Sequence, residues 1–256
     1  MPQSSAGRTR PELLDVAPGA LDPKRRGRPN RLSTAVSEEL LRRIISGEYP
    51  IGTLLPPEPQ LVAEFDVSRP VAREAVKFLE AAGLVSIRQG EGTVVRESSR
   101  WNFLEPSVLR IALALNVGKR IRADAVQLRL DLDLSLLAEA APLLIEDDYV
   151  EMEAHLHTMD TEKSFSRLQA ADLAFHRVYQ SRAGNQLTEG IVHLLVEEMP
   201  PPNRVIANPR DSYDHANRQH WAIYEALRAG RAEDALTTLR EHISQMWTWR
   251  EETPPA

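Results

Sequence analysis

Residues 84–96, LVSIRQGEGTVVR, carry a β pattern inside a chain otherwise patterned for helices. Two short β-rich runs, Leu84–Arg88 and Thr93–Arg96, flank Gln89-Gly90-Glu91-Gly92, the arrangement a hairpin requires. Three helical patterns precede it. Val36, Leu40, Leu41, Ile44 and Ile45 recur at helical spacing until Gly47 supplies a stop. A turn-rich PIGTLLPPE leads into a short helix over Glu58–Phe65, and DVSRPVAREAVKFLEAAGL predicts a third. There Ser68 serves as N-cap, Pro70 falls in the first turn, Val71, Ala75, Val76 and Leu79 form the buried face, and Gly83 ends the helix. Three helices followed by a hairpin make a winged helix-turn-helix over residues 31–97.

Residues 98–108 have the look of a connector whose Trp101 and Phe103 dock on a neighbouring domain. Beyond them no strand pattern is evident. Helical stretches are predicted at 109–116, 121–145, 147–159, 163–183, 186–199, 210–229 and 231–250, with Pro142 expected to kink or end the second. The expected fold is therefore mostly α: the winged helix joined to an all-α antiparallel bundle over 109–250, with disordered tails at 1–30 and 251–256.

The formal net charge of −6 argues at first against a nucleic-acid partner. The average conceals an asymmetry. Residues 1–100 hold 15 Lys/Arg against 13 Asp/Glu, leaving 16 against 24 for the remainder, and such a split suggests division of labour. The absence of cysteine excludes disulfides, zinc fingers of the cysteine type and thiol catalysis. No apolar run reaches the roughly 18–20 residues of a membrane span, and the first thirty residues lack the apolar core of a secretory signal. A cytoplasmic protein is expected.

In a helix-turn-helix the second helix of the motif enters the major groove with its N-terminal side chains at base edges. Arg69 and Arg73 lie one turn apart at the start of that helix, where each can fork onto guanine or phosphate. Lys77, a turn further on, is placed for the backbone. A lone arginine is ordinarily a solvated charge, but two on the face opposite an apolar stripe, ahead of a hairpin, point to DNA. Upstream, KRRGRPNR (24–31) has five basic residues in eight. It is either a solvated linker or a minor-groove arm, in which Arg26-Gly27-Arg28-Pro29 resembles the core of an AT-hook.

The helical half holds a second candidate site. Asp172 and His176 are one helical turn apart and leave the same face. Alone, that pair is a metal half-site or two polar groups on a solvated face. His220 and His242 each lie among apolar neighbours at core-facing spacing, where an imidazole needs a partner. A hydrogen bond satisfies most buried histidines, yet three helices each delivering one toward a bundle interior favour a shared ion. His155, His157, His193 and His215 are read as surface or locally hydrogen-bonded imidazoles.

Residues 52–95 resemble the DNA-binding domain of the GntR family of bacterial transcription regulators. The resemblance rests on Leu55-Pro56-Pro57-Glu58, Val67-Ser68-Arg69, Val71-Ala72-Arg73-Glu74-Ala75 and Gln89-Gly90-Glu91-Gly92. It implies that Arg69 and Arg73 read DNA and that the wing, Gln89 and Gly90, approaches the minor groove. Many members carry an arginine directly after the Glu that is Glu58 here. This chain has Pro59, and the basic tail is expected to compensate.

The helical half is similar to the FCD effector domain of the FadR subgroup, through residues 125–141, 172–185, 220–235 and 240–243. That likeness implies a divalent metal held by Asp172, His176, His220 and His242, a donor set suited to zinc, with nickel or manganese as alternatives. A small carboxylate would fill the remaining positions. Arg129 is the candidate for a second carboxylate contact or, alternatively, a salt bridge to Asp133 or Glu139. Asn185, a further effector candidate, has the position of a turn or cap residue. The connector RWNFLEPSVL is similar to those of sugar-acid regulators in this subgroup, so a sugar acid is the expected effector class.

These features predict a homodimeric regulator without enzymatic activity, a repressor in the commoner family outcome, that binds double-stranded operator DNA. The rival is a metal-dependent hydrolase built on a helical bundle, which would need a general base that no residue supplies with a reason and would leave the winged helix without a use. A nucleoid-type binder that uses only tail and wing leaves the Asp/His set unexplained.

Overall fold

The computed structural model describes residues 29–115, 118–199 and 209–251. All but the innermost ends of the two expected tails lie outside the described residues. The N-terminal unit contains α1 (Pro29–Ile45), α2 (Glu58–Phe65), α3 (Arg69–Ala81), β1 (Val85–Arg88) and β2 (Gly92–Val95). Strands β1 and β2 pair antiparallel in the register Val85 with Val95 and Arg88 with Gly92, and an isolated bridge adds Leu54 beside Val94. Beneath them Leu40, Leu41, Leu61, Ala72, Leu79, Leu84 and Val85 are almost wholly buried. On α3 the buried face is Val71, Ala72, Ala75 and Leu79, with Val76 only half-buried at its edge.

Two local devices aim α3. The turn between α2 and α3 passes through Asp66 in the left-handed region at φ 49, a conformation that aspartate tolerates better than most side chains. Behind α3 the chain turns at Gly83, φ +78, where a Cβ would stand 2.3 Å from the Arg100 carbonyl oxygen. Only glycine admits the connector this close. Asn102 N–H then donates to the Ala82 carbonyl at 2.9 Å, and Trp101 Nε1 to the Arg96 carbonyl at 3.0 Å. Trp101 and Phe103 both pack on the N-terminal core.

Helix α4 (Pro106–Ala114) begins inside the stretch expected to be connector, capped by Glu105, whose side chain accepts from Val108 N–H at 3.0 Å. It has two apolar faces. Val108 and Ala112 join the N-terminal core, while Leu109 and Leu113 join the core of the second half. Arg110, on its exposed side, donates to Glu38 of α1 at 2.7 Å.

The second half is the helical bundle: α5 (Gly118–Ala140), α6 (Glu146–Thr161), α7 (Phe165–Ala183), α8 (Gln186–Glu198), α9 (Pro209–Arg228) and α10 (Ala232–Glu251). Helix α5 stops at Ala140 rather than running to 145. Pro142 cannot donate a helical hydrogen bond, and a 3-10 turn over Ala141–Leu143 takes up the chain. The bundle core includes Leu136, Leu137, Met152, Leu156, Phe175, Tyr179, Ile223, Leu239 and Ile243. Helix α7 packs against α5 and α6, and α10 against α5 and α9, which turns one face each of α5, α7, α9 and α10 toward a common interior. Among the described residues no helix is long and apolar enough to cross a membrane.

Candidate functional site

Asp172 and His176 share the inner face of α7, with His220 facing them from α9 and His242 from α10. All four are buried, the three imidazoles at 2% exposure or less. One donor atom from each lies within 4.8 Å of all the others. His220 Nε2 stands 3.2 Å from His176 Nε2, 3.1 Å from His242 Nε2 and 3.4 Å from Asp172 Oδ1. Donors bound to one cation at about 2.0–2.2 Å are themselves about 3 Å apart, so the observed spacings suit a shared ion.

The protonation chemistry agrees. Burial, followed by the neighbouring imidazole and then the positive charge of Arg129, pushes all three histidines well below the ordinary range. Neutral rings offer lone pairs. His242 Nδ1 lies 3.1 Å from Gln219 Oε1, an oxygen that can only accept, so the proton of that ring sits on Nδ1 and its Nε2 faces inward bare. His176 Nδ1 is 3.0 Å from the Tyr179 hydroxyl. At His220, one N–H on Nε2 cannot serve three neighbours, and Nδ1 is buried with no hydrogen-bond partner among the described residues. A cation resolves the crowding of lone pairs at the centre. The donor set of three neutral imidazoles and one carboxylate therefore fits a divalent metal.

Arg129 lies on α5 beside this group, 7% exposed, and its Nε donates to Asp133 Oδ2 at 3.1 Å. Of its two expected roles the salt bridge is thus formed, with Asp133 as the partner. Its charge still reaches the three imidazoles. Asn185 is exposed and caps α8, its side-chain oxygen accepting from Thr188 N–H at 3.2 Å, and its place in the fold is that of a cap. The other histidines keep local company: His155 with Glu151, His157 with Glu153 and Asp160, His193 with Glu189, and His215 with Gln245.

Sequence reasoning missed Tyr179, Gln180 and Gln219, and it named Asp133 only as a salt-bridge partner of Arg129. Asp133 is wholly buried and accepts from Arg129, from Gln180 Nε2 at 2.7 Å and from the Tyr179 hydroxyl at 3.4 Å. Burial, reinforced by Asp133, pushes Tyr179 well above the ordinary tyrosine range, so its hydroxyl keeps its proton. The available signal was spacing: Tyr179 falls three residues after His176, on the same face.

On the N-terminal unit, Arg69 and Arg73 are exposed at the start of α3. Arg73, 64% exposed at its side chain, reaches back to Glu58 at 3.3 Å, and Lys77 pairs with Glu74 at 3.2 Å. Gln89 and Gly90 form the exposed tip of the wing, with Gly90 at φ +82. Pro59 occupies the first turn of α2. Arg26 and Arg28 lie outside the described residues.

Comparison with known proteins adds two family matches. Residues 32–95 match "Bacterial regulatory proteins, gntR family", and residues 124–245 match the "FCD domain". The chain is 34% identical over 165 residues to the uncharacterized HTH-type transcriptional regulator YieP of Escherichia coli, covering 61% of this chain and 70% of that one. It is 30% identical over 242 residues to the HTH-type transcriptional repressor NanR of Edwardsiella tarda, covering 90% and 91%. With the HTH-type transcriptional regulator LutR of Bacillus subtilis the identity is 27%, over 79% of this chain and 94% of the other. Among solved structures, Lar of Listeria monocytogenes shares the fold, with a TM-score of 0.57 and 21% identity over 87% of this chain and 98% of that one.

Proposed function

Since the chain belongs to the GntR family of bacterial regulators and carries an FCD domain behind its DNA-binding unit, we propose that it is a metal-dependent, carboxylate-responsive transcription repressor. It is a DNA-binding transcription regulator and not an enzyme, which sets the hydrolase alternative aside. It works on operator DNA in the cytoplasm as a homodimer.

The observation that carries the sensing half of this reading is the convergence of Asp172, His176, His220 and His242 in the bundle interior. These four would hold the ion, zinc above nickel or manganese by the character of the donors. A divalent cation with four protein donors supplies open coordination positions to an oxygen ligand. Arg129 supports the carboxylate part: its Nε is spent on Asp133, and its positive charge, felt by all three histidines, draws an anion toward the site. A sugar acid fits that chemistry.

On the DNA side, Arg69 and Arg73 meet the major groove, Lys77 the phosphates, and Gln89 and Gly90 the minor groove. Arg26 and Arg28 stand in for the arginine whose place Pro59 takes. The effector changes operator affinity only by binding the two arrangements of the bundle unequally.

A thermal-shift screen of carboxylic acids, sugar acids included, with and without chelator tests the reading, because a ligand selective for the native state raises the melting midpoint. An acid that stabilises the protein only in the metal-loaded form is the expected result. Absence of bound metal in the purified protein overturns it.

A further inference from the structure

We propose that Tyr179 and Asp133 are positioning residues that fix the tautomer of His176, and with it the inward lone pair on Nε2. The inference rests on the metal reading above and adds two residues to it.

A tyrosine hydroxyl has one proton to give and oxygen lone pairs to receive with. The Tyr179 hydroxyl donates to Asp133 Oδ1 at 3.4 Å, and its oxygen lies 3.0 Å from His176 Nδ1. With its proton directed at a carboxylate, the oxygen accepts from the imidazole, so the ring proton of His176 is held on Nδ1. The bare nitrogen is then Nε2, the atom 3.2 Å from His220 Nε2 at the centre of the donor set.

Asp133 makes this direction one-way. A carboxylate has no proton to return, and it is held in place by Gln180 Nε2 on Oδ1 and Arg129 Nε on Oδ2. All of these groups are buried: Asp133 and Tyr179 show no exposure, and Gln180 shows 2%. Water therefore does not compete as an alternative partner for the ring. The chain carboxylate, hydroxyl, imidazole extends the usual outer-shell arrangement, in which a carboxylate meets the ligand histidine directly, by one tyrosine. It also links α5, which carries Arg129, to the ligand-bearing helix α7.

The test uses the full-length protein with nitrogen-15 in its histidines, stripped by chelator and then titrated with Zn2+ against a competing chelator. In the metal-free wild type His176 is protonated on Nδ1. Tyr179→Phe keeps the ring packing, gives a mixture of tautomers at His176, and weakens zinc binding about ten- to a hundredfold. Asp133→Asn, which can also donate, reduces the Nδ1 preference in the same direction. A Tyr179→Phe protein with the wild-type tautomer and zinc affinity within about twofold overturns the proposal, even if it melts lower, because weaker packing alone would do that. A wild-type protein that takes up no zinc defeats the metal reading; the tautomer shift in Tyr179→Phe would still support the positioning role.

Discussion

The Nε2 atoms of His220 and His242 stand 3.1 Å apart on two different helices, α9 and α10, and burial holds both rings uncharged. Two inward lone pairs at that separation repel unless a proton or a cation lies between them. With His176 and Asp172 added, four donors face one another in the bundle interior, an arrangement that could hold a metal ion. His176→Ala removes one donor and leaves the others in place. We expect metal content measured by mass spectrometry to drop well below the wild-type value and the effector response to vanish, with an affinity loss of at least about ten- to a hundredfold. A fully loaded variant would contradict the ligand set.

Arg73 projects from α3 with 64% of its side chain exposed and touches Glu58 at 3.3 Å. Arg73→Ala should leave the circular dichroism spectrum and melting temperature near wild type while removing about 1–3 kcal/mol of operator discrimination. Mobility-shift titrations against specific and scrambled duplexes check this, and retained specific binding would refute the assignment of α3 to the major groove.

Deleting residues 1–28 removes Arg26 and Arg28 without touching α1, which begins at Pro29. If these arginines meet DNA, the slope of log affinity against log salt should fall by about 2 in magnitude. An unchanged slope would mean that the arm does not compensate for the proline at position 59.

Asp148, near the start of α6, accepts from Arg182 at 2.6 Å through Oδ1 and from Ile145 N–H at 2.8 Å through Oδ2. Burial alone would raise its carboxyl, but the Arg182 hydrogen bond, the Ile145 amide and the Arg182 charge together hold it below its ordinary 3.8. The stabilisation this gives is present above the ordinary value and is lost as pH falls through the lower, folded-state one. Arg182 is partly exposed, so the charge is screened. Asp148→Asn should cost about 0.5–1 kcal/mol in urea denaturation at pH 7, and the difference should shrink in acid. A gap that persists unchanged below about pH 3 would rule out the charge as its origin.

Much of the winged helix is legible because its punctuation is chemical. Ser68 occupies the N-cap position of α3 in an extended conformation, though its side chain makes no capping hydrogen bond, Pro70 falls in the first turn, and Gly83 closes the helix with a positive φ. The start of α4 is less legible. Its cap is Glu105, a residue type outside the usual N-cap set, and Pro106 at the first helical position is the one signal in the sequence that the connector ends before 108. The end of α5 is legible from Pro142, which is expected to kink or end the helix and ends it at Ala140; only the apolar periodicity, which continues past the proline, suggests a later bound. At the site, Asp172 and His176 can be paired from helical spacing, and His220 and His242 by their apolar settings and by resemblance. Asp133 and Tyr179 cannot be paired in this way. They are 46 residues apart, and their meeting depends on how α5 packs on α7.

Helix α4 gives its Val108 and Ala112 to one core and its Leu109 and Leu113 to the other, and Arg110 on the same helix grips Glu38 of α1 and Glu198 of α8. Reader and sensor are thus joined by a shared rod instead of a loose joint. A tilt in the bundle has no slack in which to dissipate, and close-packed interiors favour discrete arrangements over continuous deformation. If an effector shifts the bundle, α4 is the element through which that shift would reach the N-terminal unit, as a step between two poses and not a graded bend.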